Sequence, residues 1–283
     1  MSVIRRVKDI VRPFVPPILK DALARTLPVV RGGIRFAGNY PDWATACRHA
    51  AGYDDPSILE KAVSAALRVE RGEVPYERDT VVFDRIDYSF PLLAALLYAA
   101  SRENGRLSVL DFGGALGSSY QQNKGFLGHL EHLRWSIVEQ PHFVGAGQLH
   151  LGTEVLRFYG SVEECAAAEK PNFVLLSSVL QYLEDPYLTL SELEAIRAPY
   201  LLIDRTPVLR GLPGRITVQT VPPEIYSATY PCRIFGYQEL EQRLLMNFDV
   251  LAPFEAHPGT LIDLGDAKAS YAGWILERRG HSA

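Results

Sequence analysis

Apolar positions repeat along this chain with two different periods. From Ser57 to Arg71 the residues Ile58, Leu59, Ala62, Val63, Ala66 and Leu67 recur at helical spacing and predict an amphipathic helix that Gly72 ends. A second stretch, Ser89 to Ser101, is nearly all apolar and predicts a buried helix, with Ser89 as cap and Pro91 in the first turn. From residue 107 short apolar runs alternate with helical patterns. Strands are predicted at Leu107–Asp111, Arg134–Glu139, Leu156–Gly160, Phe173–Ser178 and Tyr200–Asp204, and helices at 119–130, 142–150, 163–169 and 186–196. A helix at Tyr237–Met246 leads to late strands near Phe248–Glu255 and Tyr271–Arg278. Such alternation predicts an α/β fold with a mostly parallel sheet covered by helices on both faces. Between strand five and the last helix, Pro207, Pro213, Pro222, Pro223 and Pro231 read as a stiffened loop, either packed on the domain or, as is common in such folds, covering the ligand edge.

The first 27 residues stand apart. Val3, Ile4, Val7, Ile10, Val11, Phe14, Val15, Ile18 and Leu19 keep helical spacing, and Pro13, Pro16 and Pro17 break it into short pieces. Six basic side chains against Asp9 and Asp21 leave residues 1–25 at +4, so the rest of this −4 chain carries −8. A basic amphipathic segment suits an anionic membrane surface; docking on the domain or on another subunit stays open. The chain thus divides into a basic segment at 1–27, a helical cap at 28–101, where Asp42 caps a short helix, and a catalytic α/β domain at 102–283. Its 283 residues, 47% hydrophobic, suffice for one large domain with an appendage. The net charge excludes the basic footprint of a nucleic-acid binder. Cys47, Cys165 and Cys232 are scattered, with no metal spacing or disulfide framework, which places the protein in a reducing, cytoplasmic compartment. No apolar run spans a bilayer, and the prolines interrupt any secretory h-region. The expected location is therefore cytoplasmic, with residues 1–25 a contact to the inner membrane face.

Ligands of open parallel sheets bind outside the carboxyl ends of the strands. Strand one runs into Asp111-Phe112-Gly113-Gly114-Ala115-Leu116-Gly117, a small-residue turn before a helix that Ser118 or Ser119 can cap. Small residues at 113, 115 and 117 suit a nucleoside with an amino-acid tail better than a pyrophosphate, which wants G-x-G-x-x-G. Strand two ends in Glu139, able to accept bonds from both ribose hydroxyls. Strand three ends at Ser161-Val162-Glu163, where an adenine edge would lie. Strand four ends in Ser177-Ser178-Val179-Leu180-Gln181-Tyr182, and strand five in Asp204-Arg205-Thr206-Pro207. The glycine turn alone is a weak signal; the ordered combination is a strong one.

The segment from 107 to 205 resembles the class I S-adenosylmethionine-dependent methyltransferases, with Asp111–Gly117 as first motif and Glu139 as ribose acid. A closer resemblance spans about Tyr40 to Arg278. It rests on Tyr76-Glu77-Arg78-Asp79, Phe83-Asp84, Tyr88-Ser89-Phe90-Pro91, Val138-Glu139-Gln140-Pro141-His142, Ile203-Asp204-Arg205-Thr206-Pro207 and Val221-Pro222-Pro223-Glu224-Ile225-Tyr226. It points to a family of bacterial methyltransferases from surface-polysaccharide gene clusters. The resemblance implies a Rossmann-like class I methyltransferase fold with a seven-stranded sheet, S-adenosyl-L-methionine as cofactor, and O-methylation of a glycan or sugar precursor. It implies that the backbone of Gly113, Gly114, Ala115 and Gly117 approaches the methionine moiety. Asp111 would orient the turn or hold the amino group, Glu139 bind the ribose, Gln140 flank the adenine and Ser161 and Val162 border its edge. Ser177, Ser178 and Gln181 would lie beside the sulfonium. Two positions depart from the pattern: Ala115 replaces a frequent glycine and fits if φ stays negative, and Ser161 replaces a frequent aspartate.

A hydroxyl acceptor must lose a proton, and Asp204 and His142 are the candidate bases at the sheet edge. Arg78 would pair with the cofactor carboxylate or, alternatively, with Glu77 or Asp79. Tyr182, Arg205, Tyr226 and Tyr230 are the acceptor-side candidates. Two rival readings remain: a nicotinamide-dependent sugar oxidoreductase and a non-catalytic binding protein. The first lacks the dinucleotide turn, and its Tyr-x-x-x-Lys pair occurs only at Tyr120 and Lys124 in the first helix. The second would show a lost ribose acid, whereas Glu139 is present. The acceptor's identity and the oligomeric state are not written in these motifs.

Overall fold

The computed structural model describes residues 33–51, 56–78, 80–222 and 228–281. The basic segment at 1–27, with its membrane contact, lies outside them. Strand β1 (Arg35–Tyr40) is followed by helices α1 (Trp43–Arg48) and α2 (Pro56–Glu70). Asp42 caps α1 as expected, its carboxylate accepting the Thr45 N–H at 2.7 Å. A hairpin of β2 (Tyr76–Arg78) and β3 (Val81–Phe83) then precedes helix α3 (Phe90–Arg102). The alternating part follows: β4 (Arg106–Phe112), α4 (Ser118–Leu127), β5 (His132–Val138), α5 (Pro141–His150), β6 (Leu156–Tyr159), α6 (Val162–Glu169), β7 (Phe173–Ser177), α7 (Pro186–Ala195) and β8 (Tyr200–Leu209). The chain ends with β9 (Arg215–Val221), β10 (Ala228–Gly236), α8 (Tyr237–Leu244), β11 (Phe248–Glu255), β12 (Leu261–Asp263) and β13 (Lys268–Arg278).

Seven strands form the central sheet in the order β6-β5-β4-β7-β8-β13-β11. The first five run parallel, β13 is antiparallel to β8, and β11 is antiparallel to β13. This is the Rossmann-like class I methyltransferase arrangement. Parallel strands must be apolar on both faces. One core accordingly packs α2 and α3 against Leu107, Val109, Trp135 and Ile137, and a second packs Leu190 and Leu240 against Leu110, Val174, Leu176 and Trp274.

Two expectations are corrected. The described residues of 207–236 are mostly strand and not loop: β8 continues to Leu209, and β9 and β10 form an antiparallel pair that joins the sheet through Phe235↔Val208 and Gly236↔Leu209. The prolines misled because Pro213 and Pro222 lie outside the strands, whereas Pro207 and Pro231 sit inside them, opposite Tyr271 and Val218. The cap is likewise not wholly helical. β1 extends the sheet by pairing with β9, Arg35 opposite Thr220, a partner too distant in sequence for local periodicity to reveal.

Candidate functional site

The turn after β4 holds three left-handed residues in alternation: Gly113 at φ 69°, Ala115 at φ 48° and Gly117 at φ 94°. Ala115 therefore does not keep a negative φ; the reading of that departure is corrected. An L-residue pays about 1–2 kcal/mol in this region. Two bonds hold the turn: Glu139 accepts the Ala115 N–H, and Gly117 N–H donates to Gly114 O at 3.0 Å. The glycines are required sterically. A side chain at 113 would run into Val179, and one at 114 would stand 2.6 Å from the Asp111 carboxylate. Gly117, not Ser118 or Ser119, occupies the cap position of α4, with no side-chain cap. Ser118 instead donates its hydroxyl to the buried Glu77 of β2. The first N–H groups of α4 thus stay available at the turn, where an uncapped helix start favours an anion.

Beneath the turn, Asp111 is 1% exposed and accepts Trp135 Nε1–H at 3.0 Å. Burial pushes its carboxyl up to about 7, with the Trp135 bond and the Arg205 charge opposing and Glu139 adding to the rise. Asp111 therefore supports the turn from below. Glu139 follows β5 and is half-buried; it also accepts the Gln140 N–H at 2.6 Å. Burial raises its pKa, while the bonds from Gln140 and Ala115 and the nearby His142 lower it. Gln140 is the exposed cap residue of α5. Ser161 caps α6, accepting the Glu164 N–H at 3.2 Å, and Val162 is buried in the core behind it. The β5 and β6 register, Val138 opposite Tyr159, brings these residues to one edge. His142 is exposed in the first turn of α5, its ring 5.0 Å from Phe143.

Across from the turn lies a cavity of about 300 Å³, lined by Tyr76, Arg78, Ser119, Ser177, Asp204 and His257 among others. His142 does not line it. Asp204, 2% exposed, accepts the Ser177 hydroxyl at 3.2 Å and lies 3.8 Å from Arg205 Nε. Arg205 itself donates to Ser177 Oγ from Nε and Nη2 at 3.2 and 3.0 Å. In a regular strand neighbours face opposite sides. Here Asp204 and Arg205 both line the cavity, because Arg205 sits at φ 53° where the β8–β13 register slips between Ala272 and Trp274. Ser178 is also left-handed, φ 61°, and its N–H donates to Asp204 O at 2.9 Å. Strain of this kind, clustered at 115, 178 and 205, is characteristic of functional edges.

Gln181 is buried beside these residues. Its amide donates to Ser178 Oγ at 3.0 Å and Arg205 O at 3.5 Å, while its Oε1 has no partner among the described residues. Arg78 reaches the cavity from the hairpin, donating to the Tyr76 hydroxyl at 3.0 Å and to Asp87 O at 3.5 Å. Glu77 points to Ser118 instead, and Asp79 lies outside the described residues. Tyr182 and Tyr230 form a separate pair bridged by buried Gln219: Tyr182 donates to its Oε1 and its amide donates to the Tyr230 hydroxyl, both at 3.1 Å. Their rings meet edge to face at 5.2 Å, outside the cavity lining. Tyr226 lies outside the described residues.

Sequence reasoning missed His257. It follows β11, which runs parallel to β8 because both are antiparallel to β13. Reading the carboxyl end of this late strand as the earlier ones are read would have found Glu255-Ala256-His257. Burial and the Arg205 and Arg78 charges lower the His257 pKa, and Asp204 and Asp87 oppose this.

Among the described residues no cluster of His, Cys, Asp and Glu suits a metal ion, and no helix is long and apolar enough to cross a membrane. No family model and no curated protein sequence matches the chain. Solved structures do match. The 1,6-didemethyltoxoflavin-N1-methyltransferase of Burkholderia thailandensis, solved with 1,6-didemethyltoxoflavin and S-adenosylhomocysteine, is 17% identical over 81% of this chain and 94% of that one, with a TM-score of 0.39. The N-terminal domain of EvdMO1, crystallised with S-adenosylhomocysteine and D-fucose, is 13% identical over 80% and 97%, with a TM-score of 0.44. CalS10, an amino pentose methyltransferase from Micromonospora echinaspora, is 11% identical over 68% and 92%, with a TM-score of 0.40. At such identities and TM-scores no residue role is carried over from these proteins.

Proposed function

We propose that the protein is an S-adenosylmethionine-dependent methyltransferase that methylates a hydroxyl of a glycan or sugar precursor in surface-polysaccharide assembly. The observation that carries the cofactor is the junction of Glu139 with the turn. One carboxylate holds the Ala115 and Gln140 N–H groups and keeps lone pairs for a vicinal diol. The remaining donor set fits the rest of that cofactor. The first N–H groups of α4 and Arg78 suit its carboxylate, and the unpartnered Gln181 Oε1 suits its ammonium group. Gln140, Ser161 and Val162 would border the adenine. Ser177 and Ser178 would flank the reacting end.

When bound, the cofactor supplies a methyl group on a positively charged sulfur with a neutral leaving group. The protein's work is then to align the acceptor and exclude water. Of the two bases read from the sequence, Asp204 lines the cavity and His142 does not. The glycan acceptor rests on the family resemblance, with Arg205, Tyr182 and Tyr230 as its candidate contacts. Residues 1–25 are proposed as a contact to an anionic membrane surface, to be checked by flotation of full-length and truncated protein with anionic liposomes.

Calorimetry tests the central reading. S-adenosylmethionine should bind, and Glu139→Ala should weaken it by about 100-fold, since a charge-assisted hydrogen bond contributes about 1.5–3 kcal/mol. Tight NADH binding without S-adenosylmethionine binding would replace this reading with the oxidoreductase one.

A further inference from the structure

We propose that His257 is the general base, taking the proton of the acceptor hydroxyl while Arg205 faces the oxygen that becomes negative. The inference rests on the methyltransferase reading above and adds a residue to it. Asp87, Asp204, Glu255 and His257 line the cavity, and the surroundings of Asp204 and His257 differ. Asp204 is almost wholly buried, accepts the Ser177 hydroxyl and lies beside the Arg205 guanidinium. A carboxylate so engaged has its lone pairs committed and serves as an anchor. His257 is half-buried on the cavity wall, its ring set edge to face against Tyr271 at 5.2 Å. That contact holds the ring on the cavity wall.

The charged surroundings keep the ring neutral. Arg205 on β8 and Arg78 on β2 disfavour the imidazolium, as does burial. Asp204 and Asp87 favour it less strongly, and Glu255, Tyr271, Tyr76 and Tyr88 are the other titratable groups at the cavity wall. A neutral imidazole is a competent acceptor across physiological pH. In the step itself the acceptor O–H bond breaks and its proton passes to an imidazole nitrogen. The oxygen bonds to the methyl carbon as the carbon–sulfur bond breaks, and the bonding pair stays on sulfur as a neutral thioether. The Arg205 guanidinium stabilises the developing oxyanion electrostatically.

Three measurements test this. In ligand-free protein, the His257 ring resonance, assigned with His257→Gln, should titrate below an ordinary histidine and move upward in Arg205→Gln and Arg78→Gln. An ordinary midpoint that ignores both variants overturns the proposal. Calorimetry with S-adenosylhomocysteine should give the same affinity in wild type and His257→Gln, showing an intact fold and cofactor side. Methyl transfer to UDP-glucose and to methyl glycosides should fall at acid pH in the wild type. His257→Gln should be slower by about 10²–10⁴-fold and lose that acid limb. If His257→Gln keeps both rate and limb, or if wild type binds S-adenosylhomocysteine yet methylates no hydroxyl, the base assignment fails alone. Absence of S-adenosylhomocysteine binding in wild type removes the methyltransferase reading and the assignment with it.

Discussion

The two sides of the site are built by different means. The turn side is a contiguous run of backbone, residues 113–117, shaped by left-handed residues and supported by Asp111 and Glu139. The cavity side gathers side chains from the β2 hairpin, the ends of β7 and β8 and the segment after β11. Backbone recognition needs small residues at fixed spacing, which leaves a motif. Side-chain recognition needs only that distant strands end at the same edge, which leaves none. Substitutions on the turn side should therefore cost binding and stability, and substitutions on the cavity side should cost turnover.

The largest effect is expected at Gly113→Val. A β-branched residue at φ 69° running into Val179 combines strain with overpacking, about 4–5 kcal/mol of stability in all, measurable as a shifted urea midpoint together with lost cofactor binding. Unchanged stability would show that the turn is not rigid and would weaken the contrast. Next is Asp111. Its folded pKa of about 7 lies above the ordinary aspartate value of 3.8, so the folded state keeps a proton that the unfolded chain has released. Its contribution is full below pH 4 and disappears as pH rises through about 7, worth roughly 4 kcal/mol. The unfolding free energy of Asp111→Asn should lack that decline relative to wild type across the same range. Glu139→Ala should reduce cofactor affinity by about 3 kcal/mol and stability by about 1 kcal/mol through its lost bond to the Gln140 N–H. Ser161→Ala gives the smallest effect, about 1 kcal/mol of stability through its lost helix cap. A larger loss of cofactor affinity than of stability there would show that Ser161 contacts the ligand as well as the helix.

The same division explains what the sequence disclosed. The helix read at Ser57–Arg71 stands at Pro56–Glu70, and the strand read at Phe248–Glu255 has those bounds, because each rests on short-range periodicity. β9 is a fair alternating strand, with Ile216 and Val218 buried toward the α1 core, yet the prolines around it drew the reading toward a loop. β1 was invisible because its hydrogen bonds depend on β9, far along the chain. At the site, Asp204 was legible as the end of a strand, but the left-handed turn at Arg205 that brings both residues to one face was not. A positive φ at an arginine comes from the bulge that β8 makes against β13, where Asp204 and Arg205 stand opposite one residue, not from the arginine.

That break gives β8 a phase as well as a path. Before Arg205 the strand pairs with β7, and past it with β10, while β13 runs alongside both parts. Ile203 stands opposite Trp274 and Thr206 opposite Ala272, so Asp204 and Arg205 together face the single residue Gly273. Removing one of the two would restore regular alternation, and Val208, Leu209 and the β9–β10 pair would keep their faces and register. The cavity would lose its second charged side chain, so the extra residue of β8 serves the site and not the sheet.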